Sequence, residues 1–329
     1  MNLSVLDLSP VGAGTAPSQA IRDSVELART ADDLGYVRYW FAEHHNMANI
    51  ATSAPEILIA HTAAMTKRIR VGAGGMMVPN HAPLHVVEQF RTLEALYPGR
   101  IDLGLGRAPG TDPVASRALR RMQGDPNAQL AELFAFERAQ FPDTHSFTTI
   151  EPMPSDTRLK SIWMLGSTLE GAAIAADLGL PYAFAGHFAM RHAVDAIARY
   201  KREFHPSRDQ PAPYAILAVT VVCAATTEEA ERLAVPMRVA VVLNRTGRRA
   251  PILSIDQALA FPLTPDEHAI ADDFFRGAVI GDPAHVADGL AALARDTQAD
   301  EIMLSTLVPS LEARKASLAH VMDAVNPRT

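Results

Sequence analysis

Short apolar segments alternate with helical patterns along the whole chain. Eight segments have the length and composition of buried strands, at residues 3–8, 37–42, 69–73, 101–105, 162–165, 182–185, 215–224 and 301–305. Between them, apolar positions recur at helical spacing, at residues 18–34, 54–65, 84–96, 169–178, 190–204, 227–237 and 282–295. Eight strands separated by helices predict a parallel sheet, and eight is the number that closes a (β/α)8 barrel. We therefore predict an α/β fold, a TIM barrel, in a single domain over residues 1–329.

A doubly wound open sheet is the rival architecture. A dinucleotide-binding sheet of that type places Gly-x-Gly-x-x-Gly directly after its first strand, and no such motif follows residues 3–8. The closed barrel is therefore favoured. Two insertions, at about residues 123–161 and 244–276, are longer than ordinary barrel loops. The first includes a helical pattern around residues 130–140. We expect the second, which is rich in Arg, Pro and Gly, to be a mobile lid.

Composition narrows the class of protein. The 329 residues are 48% hydrophobic and 20% charged, as in ordinary globular proteins. A net charge of -7 without a basic cluster argues against nucleic acid as a partner. Residues 1–9 do not resemble a signal peptide, and no apolar stretch is long enough to span a membrane, so a cytoplasmic protein is expected. A single cysteine, Cys223, provides neither a disulfide nor a thiolate metal site.

A first candidate anion site follows the fourth predicted strand. The strand ends in glycines, Gly104 and Gly106, and Arg107 comes directly after them. Glycines at a strand exit let a ligand approach the backbone closely. The planar, permanently charged guanidinium of Arg107 is suited to phosphate. The alternative is that Arg107 makes an ordinary surface ion pair.

A second candidate anion site follows the fifth predicted strand. Gly166, Ser167 and Thr168 form a turn before a helix that begins near Leu169 and includes Gly171. Such a turn places free backbone N–H groups, two hydroxyls and the positive end of a helix dipole around one point. The alternative is that Ser167 or Thr168 only caps the helix. Two candidates of this kind in one fold favour a phosphate site.

The other strand ends carry histidines and glycines but few carboxylates. The active site of a barrel forms at the carboxyl ends of its strands, where this sequence places Ser9, His44, Gly74, Gly75 and His187. Gly74 and Gly75, followed by Met76, offer a flat backbone surface to a planar ring, although a tight turn with core methionines is the commoner use of such residues. His44 suits acid–base chemistry, or is simply a structural histidine. Glu43 is the one nearby carboxylate, so a metal-dependent hydrolase is a weak alternative.

These motifs resemble one protein family. The chain resembles the luciferase-like flavin-dependent monooxygenases, and among them the YhbW-like branch of single-chain proteins. The resemblance rests on residues 40–47, 74–84, 88–93, 97–110, 166–168, 178–185 and 299–303. It extends over essentially the whole chain and is weakest at residues 245–276. The motifs are specific for the family and carry little information on substrate.

The resemblance implies a (β/α)8 barrel, usually a homodimer, that binds FMN or reduced FMN at the carboxyl ends of the strands. It implies that Gly74 and Gly75 are joined by a cis peptide beneath the isoalloxazine ring, with Met76 beside it, and that His44 assists the chemistry at the flavin. It assigns the flavin phosphate to Arg107 and to the turn formed by Gly166, Ser167, Thr168 and Gly171, with Arg120 or Arg121 as a further ligand. Ser9 and His187 are expected in the substrate pocket.

The sequence departs from the bioluminescent members of the family. Those members have a reactive cysteine where this chain has Gly106, and residues 244–276 are shorter and different, so light emission is not implied. The expected reaction uses reduced FMN from a separate flavin reductase and O2 to oxygenate a small organic substrate. Three alternatives remain: a deazaflavin (F420)-dependent hydride transfer on the same fold, a non-catalytic flavin-binding protein, and the metal-dependent hydrolase.

Overall fold

Eight parallel strands close into a barrel in the computed structural model, which describes residues 1–108, 110–119 and 125–327. The strands of the ring are β1 (Asn2–Asp7), β2 (Arg38–Phe41), β3 (Arg70–Met77), β4 (Ile101–Gly106), β5 (Ile162–Gly166), β6 (Tyr182–Phe184), β7 (Ala215–Cys223) and β9 (Glu301–Ser305). Each pairs in parallel with its neighbours, and the pairing of β6 with β7 closes the ring. A ninth short strand, β8 (Val279–Gly281), extends the sheet from the end of β7. The predicted (β/α)8 barrel is confirmed.

Helices surround the barrel. They are α1 (Pro17–Leu34), α2 (Pro55–Met65), α3 (Pro83–Leu96), α4 (Pro113–Ala118), α5 (Pro126–Arg138), α6 (Leu169–Asp177), α7 (Gly186–Ala189), α8 (Ala193–Glu203), α9 (Thr227–Arg245), α10 (Ile255–Leu259), α11 (Pro265–Phe274), α12 (Pro283–Thr297) and α13 (Leu311–Val325). Several begin with proline, whose fixed φ and missing N–H suit the first turn. None of the described helices is both long and apolar enough to cross a membrane.

Two elements run further than their sequence pattern predicts. Helix α9 continues to Arg245 through the internal Pro236, because the residues beyond the proline, among them Val239 and Leu243, are buried against α10. Strand β3 continues beyond residue 73 to Met77, with an irregular register between Gly74 and Met76. The peptide bond from Gly74 to Gly75 is cis, as the resemblance implies.

Residues 244–276, which we predicted to be a mobile lid, contain two helices. Helices α10 and α11 each begin with a capping box, at Ser254 and Thr264, and both pack on α9. The segment is also tied to the loop after β1, because Ile252 exchanges two backbone hydrogen bonds with Val11 and Ala13, at 2.8 and 2.7 Å. These two hydrogen bonds place Ile252 beside the loop that follows the carboxyl end of β1.

Charged side chains fill the amino-terminal half of the barrel interior. The buried Asp102 carboxylate accepts hydrogen bonds from Arg38 and Trp40, each at 2.9 Å, and from Arg70. Arg38 also donates to the buried Glu301 at 2.8 Å. Burial alone would raise the pKa of Asp102, but Arg38 and Arg70 hold it below its usual range. This network fills the end of the barrel opposite the carboxyl ends of the strands.

Candidate active site at the carboxyl ends of the strands

A cavity of about 290 Å³ lies at the carboxyl ends of the strands. Its floor is apolar and is formed by Leu6, Leu8, Trp40, Ala42, Ala183, Ala218 and Met303. Its polar lining comes from the residues that follow four strands, namely His44, Arg107, Ser167, Thr168 and His187. The structure therefore brings together most of the site residues predicted from the sequence.

Missing side chains create this space. Gly74 and Gly106 line the cavity on the neighbouring strands β3 and β4. A Cβ atom at Gly74 would lie 2.8 Å from Leu6 Cδ1, and one at Gly106 would lie 2.8 Å from Met77 Sδ. Both distances are shorter than a non-bonded contact allows, so a larger residue at either position would have to displace its neighbours.

Strand irregularity decides which methionine lines the cavity. A regular strand would send Gly74 and Met76 to the same face. The irregularity of β3 instead buries Met76 in the core between barrel and helices and places Met77 at the cavity. A Cβ atom at Gly75 would lie 2.8 Å from the carbonyl oxygen of Gly104. Met77, and not Met76 as we predicted, is therefore the methionine that lines the cavity.

His44 presents one unprotonated ring nitrogen. Its Nδ1 lies 3.2 Å from the carbonyl oxygen of Gly110, which can only accept, so Nδ1 carries the proton of the neutral ring. Burial lowers the pKa of His44 below its usual value, against the opposing effects of Gly110 and Glu43. At neutral pH the ring is uncharged, and Nε2 is available as a hydrogen-bond acceptor or a base.

Glu43, the residue before His44, connects the ends of two neighbouring strands through its carboxylate. Its fully buried carboxylate accepts hydrogen bonds from the N–H of Met77 at 2.7 Å, and from His45, Asn80 and His81, each at 2.9 Å. The donors belong to the segment after β2, to the last residue of β3 and to the segment after β3, so the carboxylate joins these two strand ends. Sequence reasoning assigned no role to Asn80 or His81, although both lie in a segment that carries the family resemblance.

The charges of this cluster are mutually stabilising. Burial raises the pKa of Glu43, but the hydrogen bond and charge of His81, together with the hydrogen bonds from Asn80 and Met77, reverse this, and the net shift is downward. Burial lowers the pKa of His81, but Glu43 raises it above its usual value overall. The described residues contain no group of three or more His, Cys, Asp or Glu side chains arranged to hold a metal ion.

The anion-binding candidates converge at one side of the cavity. Arg107 Nη1 lies 3.2 Å from Glu170 Oε1 and 3.3 Å from Asn127 Oδ1. The hydroxyl of Thr168 accepts from the N–H of Gly171 at 3.2 Å, so it caps α6. Both alternatives considered from the sequence, an ion pair and a helix cap, are therefore present. Even so, Arg107, Ser167 and the first turn of α6 meet at one point of the cavity rim.

His187 lies on the first turn of α7 and lines the cavity. Burial, with a smaller contribution from nearby His44, lowers the pKa of His187 to about 4. The ring is therefore neutral at physiological pH. Two neutral imidazoles thus face a mostly apolar space.

Ser9, which we also predicted at the site, does not line the cavity. Ser9 is buried with a positive φ of 47°, and its hydroxyl lies 2.8 Å from that of Ser24 on α1. This backbone conformation and hydrogen bond turn Ser9 away from the cavity, where we had expected a substrate contact. Arg120, with its neighbour Arg121, lies outside the described residues.

Comparisons with known proteins agree on one family. The family described as luciferase-like monooxygenase matches residues 1–301. A protein of Escherichia coli K12 named luciferase-like monooxygenase is 41% identical over 97% of this chain and 96% of its own. The N-acetyl-S-alkylcysteine monooxygenase of Bacillus subtilis 168 is 35% identical over 99% of this chain and 98% of its own.

Solved structures share the fold. The crystal structure of apo-MsnO8 superposes with a TM-score of 0.88 at 36% identity, over 99% of this chain and 98% of that one. Two more distant barrels show the fold alone. The first is the oxygenating constituent of 3,6-diketocamphane monooxygenase from a Pseudomonas putida plasmid, in complex with FMN, with a TM-score of 0.73 at 19% identity over 99% of this chain and 98% of that one. The second is an F420-dependent secondary alcohol dehydrogenase with an F420–acetone adduct, with a TM-score of 0.67 at 12% identity over 99% of both chains.

The Glu43 cluster generates a prediction about stability. We expect Glu43→Gln to lower the free energy of unfolding at pH 6 by about 1–3 kcal/mol, because buried donors lose their charged acceptor. The raised pKa of His81 contributes stability that is complete below pH 6.5 and is lost as the pH rises through its folded value. The lowered pKa of Glu43 contributes stability that is lost below pH 4.5.

The gap between wild type and variant should therefore be widest between about pH 4.5 and 6.5 and should narrow above that range. Denaturant unfolding at several pH values measures it, with Glu151→Gln, at an exposed position, as the control. A gap that is constant from pH 5 to 9 would contradict the assigned pairing.

Proposed function

The chain belongs to the luciferase-like monooxygenase family, and on this premise we propose that it is a two-component monooxygenase that uses reduced FMN and O2 to oxygenate a small organic substrate. One observation carries the proposal. A cation, a hydroxyl and a helix N-terminus meet at the rim of a mostly apolar cavity that also holds a neutral histidine.

The residues present fit FMN. A volume of about 290 Å³ is at the lower end for small-molecule sites, which suits a planar ring held inside while the phosphate stays at the rim. Gly74 and Gly106 leave the wall without side chains, so that a ring can lie against the backbone. Arg107, the Ser167 hydroxyl and the N–H groups at the start of α6 suit a phosphate.

Each residue then has a defined task. Reduced FMN supplies, when bound, the electrons that activate O2, of which one atom enters the substrate and the other leaves as water. Arg107 and Ser167 bind the phosphate and so place the ring. His44, with its proton held on Nδ1 by Gly110, accepts or returns a proton at Nε2. The apolar floor excludes water, which would otherwise divert the reaction to peroxide.

Several parts of the proposal rest on the family resemblance. They are a separate flavin reductase as the source of reduced FMN, a homodimer, and a cytoplasmic location. The placement of Gly75, Gly171 and Arg120 at the cofactor is proposed on the same basis. Ser9 and Met76 are not included, because the Ser9 hydroxyl is bonded to Ser24 and Met76 is buried in the core.

A deazaflavin is the second candidate cofactor. The rim around Arg107 suits the phosphate of F420 as well as that of FMN, and a related barrel carries an F420 adduct. With F420 the reaction would be a hydride transfer without O2. A binding titration of both cofactors, in oxidised and reduced forms, separates the two, and we expect tighter binding of reduced FMN.

The same titration tests the phosphate site. We expect Arg107→Ala to weaken FMN binding by about tenfold to a hundredfold, because one charge-assisted contact is lost, and to leave the binding of riboflavin, which has no phosphate, unchanged. Arg208→Ala, at an exposed position in the loop between α8 and β7, is the matched control. Equal losses for FMN and riboflavin would contradict the phosphate assignment, and no flavin binding to the wild type would reject the function.

Glu170 provides an independent prediction at the same rim. Its carboxylate forms an ion pair with the guanidinium of Arg107 and would repel a phosphate bound there. We therefore expect Glu170→Gln to tighten FMN binding. The Glu170 side chain is 73% exposed, which limits the gain to about two- to fivefold at low salt. Glu228→Gln, in the first turn of α9, is the control. Weaker FMN binding in Glu170→Gln would show that the carboxylate supports the site.

A further inference from the structure

The loop after β2 and the loop after β4 are joined at a second point beyond His44. His44 itself contacts the carbonyl oxygen of Gly110 through its Nδ1, at 3.2 Å. Two residues further along both loops, Nδ2 of Asn46 donates to Oδ2 of Asp112 at 2.7 Å. Because the two contacts have the same spacing in both loops, the loops lie side by side where they frame the cavity.

The carboxylate of Asp112 has donors from three parts of the chain. Its Oδ1 caps α4 by accepting from the N–H groups of Val114 and Ala115, at 2.8 and 3.1 Å. Its Oδ2 accepts from Asn46 and also from Nη2 of Arg249, in the segment that leads to α10, at 2.8 Å. The bond from Ala115 and then that from Asn46 hold the pKa of Asp112 below its usual value. The group is therefore charged at neutral pH and is fixed to the start of α4.

The hydrogen-bond partner of His44 is a residue with a flexible backbone. Glycine populates positive and negative φ about equally, and Gly110 has a φ of 62°. Its own conformation therefore does not fix the direction of its carbonyl group. The next two residues supply that restraint, because the hydroxyl of Thr111 donates to the carbonyl oxygen of His45 at 2.9 Å, and Asp112 is bonded to α4 and to the opposite loop. Without these bonds the carbonyl group is free to turn away from the ring.

We propose that Asp112 is a positioning residue for His44. Through its bonds to Asn46 and to α4, it holds the carbonyl oxygen of Gly110 against Nδ1 of His44, so that the proton stays on Nδ1 and the lone pair stays on Nε2. The inference deepens the proposed function and rests on it, because it names the residue that keeps the proposed base in its active tautomer.

The experiment measures the tautomer of His44 directly, in the protein without flavin. Ring ¹⁵N shifts report the two neutral tautomers at about pH 8, where the ring is uncharged, and the signals of His44 are those that disappear in His44→Gln. We expect Asp112→Asn to move the tautomer ratio toward Nε2–H by about two- to fivefold, within the effect of one neutral hydrogen bond. An unchanged ratio would overturn the inference.

Asp112→Asn separates the contact between the loops from the helix cap. The amide oxygen of the variant still accepts from the start of α4, since Asn is as good an N-cap as Asp, and we expect the variant to fold. The amide NH2 takes the place of Oδ2 and cannot accept from Asn46. A shift of the tautomer ratio in this variant therefore reports the loss of the contact between the loops.

Two further variants test the contact from its other side. Asn46→Gly removes the amide donor and tolerates the positive φ of 57° at this position. We expect it to shift the ratio as Asp112→Asn does. Asn46→Asp combined with Asp112→Asn exchanges donor and acceptor, and we expect it to restore the ratio of the wild type. An unshifted ratio in Asn46→Gly, or no recovery in the double variant, would overturn the inference.

Two controls match the change in charge. Arg249→Gln removes the other donor to Oδ2, whose side chain is 56% exposed. Asp125→Asn makes the same substitution at the N-cap of α5, where the carboxylate accepts from Asn127 of its own helix. Both should keep the tautomer ratio of the wild type. A shift in Arg249→Gln as large as that in Asp112→Asn would mean that the segment before α10 holds the loop, and the inference would fail.

The affinity for FMN separates this inference from the proposed function. Arg107 comes directly after β4 and precedes Gly110, so we expect Asp112→Asn to change FMN binding by no more than about twofold. A loss of about tenfold, the effect of a whole charge-assisted contact, would mean that Asp112 holds the phosphate site, and would overturn its assignment to His44. If the wild type binds no FMN but the tautomer ratio shifts as expected, the proposed function fails and Asp112 still positions His44.

Discussion

The buried carboxylate of Glu43 is the interaction on which the active-site end of the barrel depends. It accepts hydrogen bonds from His45 after β2 and from residues at and after the end of β3. These bonds hold the two strand ends in a fixed position relative to each other. Because side chains alternate along extended backbone, fixing Glu43 outside the barrel sends His44 to the cavity. The hydrogen bond from His44 to Gly110 then ties the loop after β4, which carries Arg107, to the same frame.

The barrel interior divides into two halves with opposite properties. Its amino-terminal half is filled by the network of Arg38, Asp102 and Glu301, in which every charge has a partner. Its carboxyl-terminal half has glycine and alanine at inward positions, and space remains there. The charged half closes one end and adds rigidity, whereas the small residues of the other half leave room for a ligand. The division explains why an apolar cavity lies directly above a dense polar layer.

Much of this arrangement could be predicted from the sequence. Apolar strand segments between helical patterns were sufficient for the barrel, since burial on both faces makes parallel strands continuous apolar runs. The rule that barrel sites lie at carboxyl strand ends was enough to bring His44, Arg107, Ser167 and His187 together. Local chemistry identified these residues without any knowledge of tertiary contacts.

The remaining features depend on contacts that a sequence does not display. The irregular register of β3 exchanges Met76 for Met77 at the cavity, and the positive φ of Ser9 turns its hydroxyl to Ser24. Helix α13 was missed because its buried face includes Arg314 and Ser317, which interrupt the apolar periodicity. Nη1 of Arg314 donates to Asp7 on β1, a partner 307 residues away in the chain.

The central claim is that one cavity holds a flavin by its phosphate at Arg107 and its ring above the apolar floor. A crystal structure of the protein with FMN tests this claim most directly. The account predicts phosphate density within hydrogen-bonding distance of Arg107 and Ser167, with Glu170 displaced from Arg107, and the ring against Gly74 and Gly106 near His44. Flavin density elsewhere on the protein, or a phosphate bound away from Arg107, would contradict it.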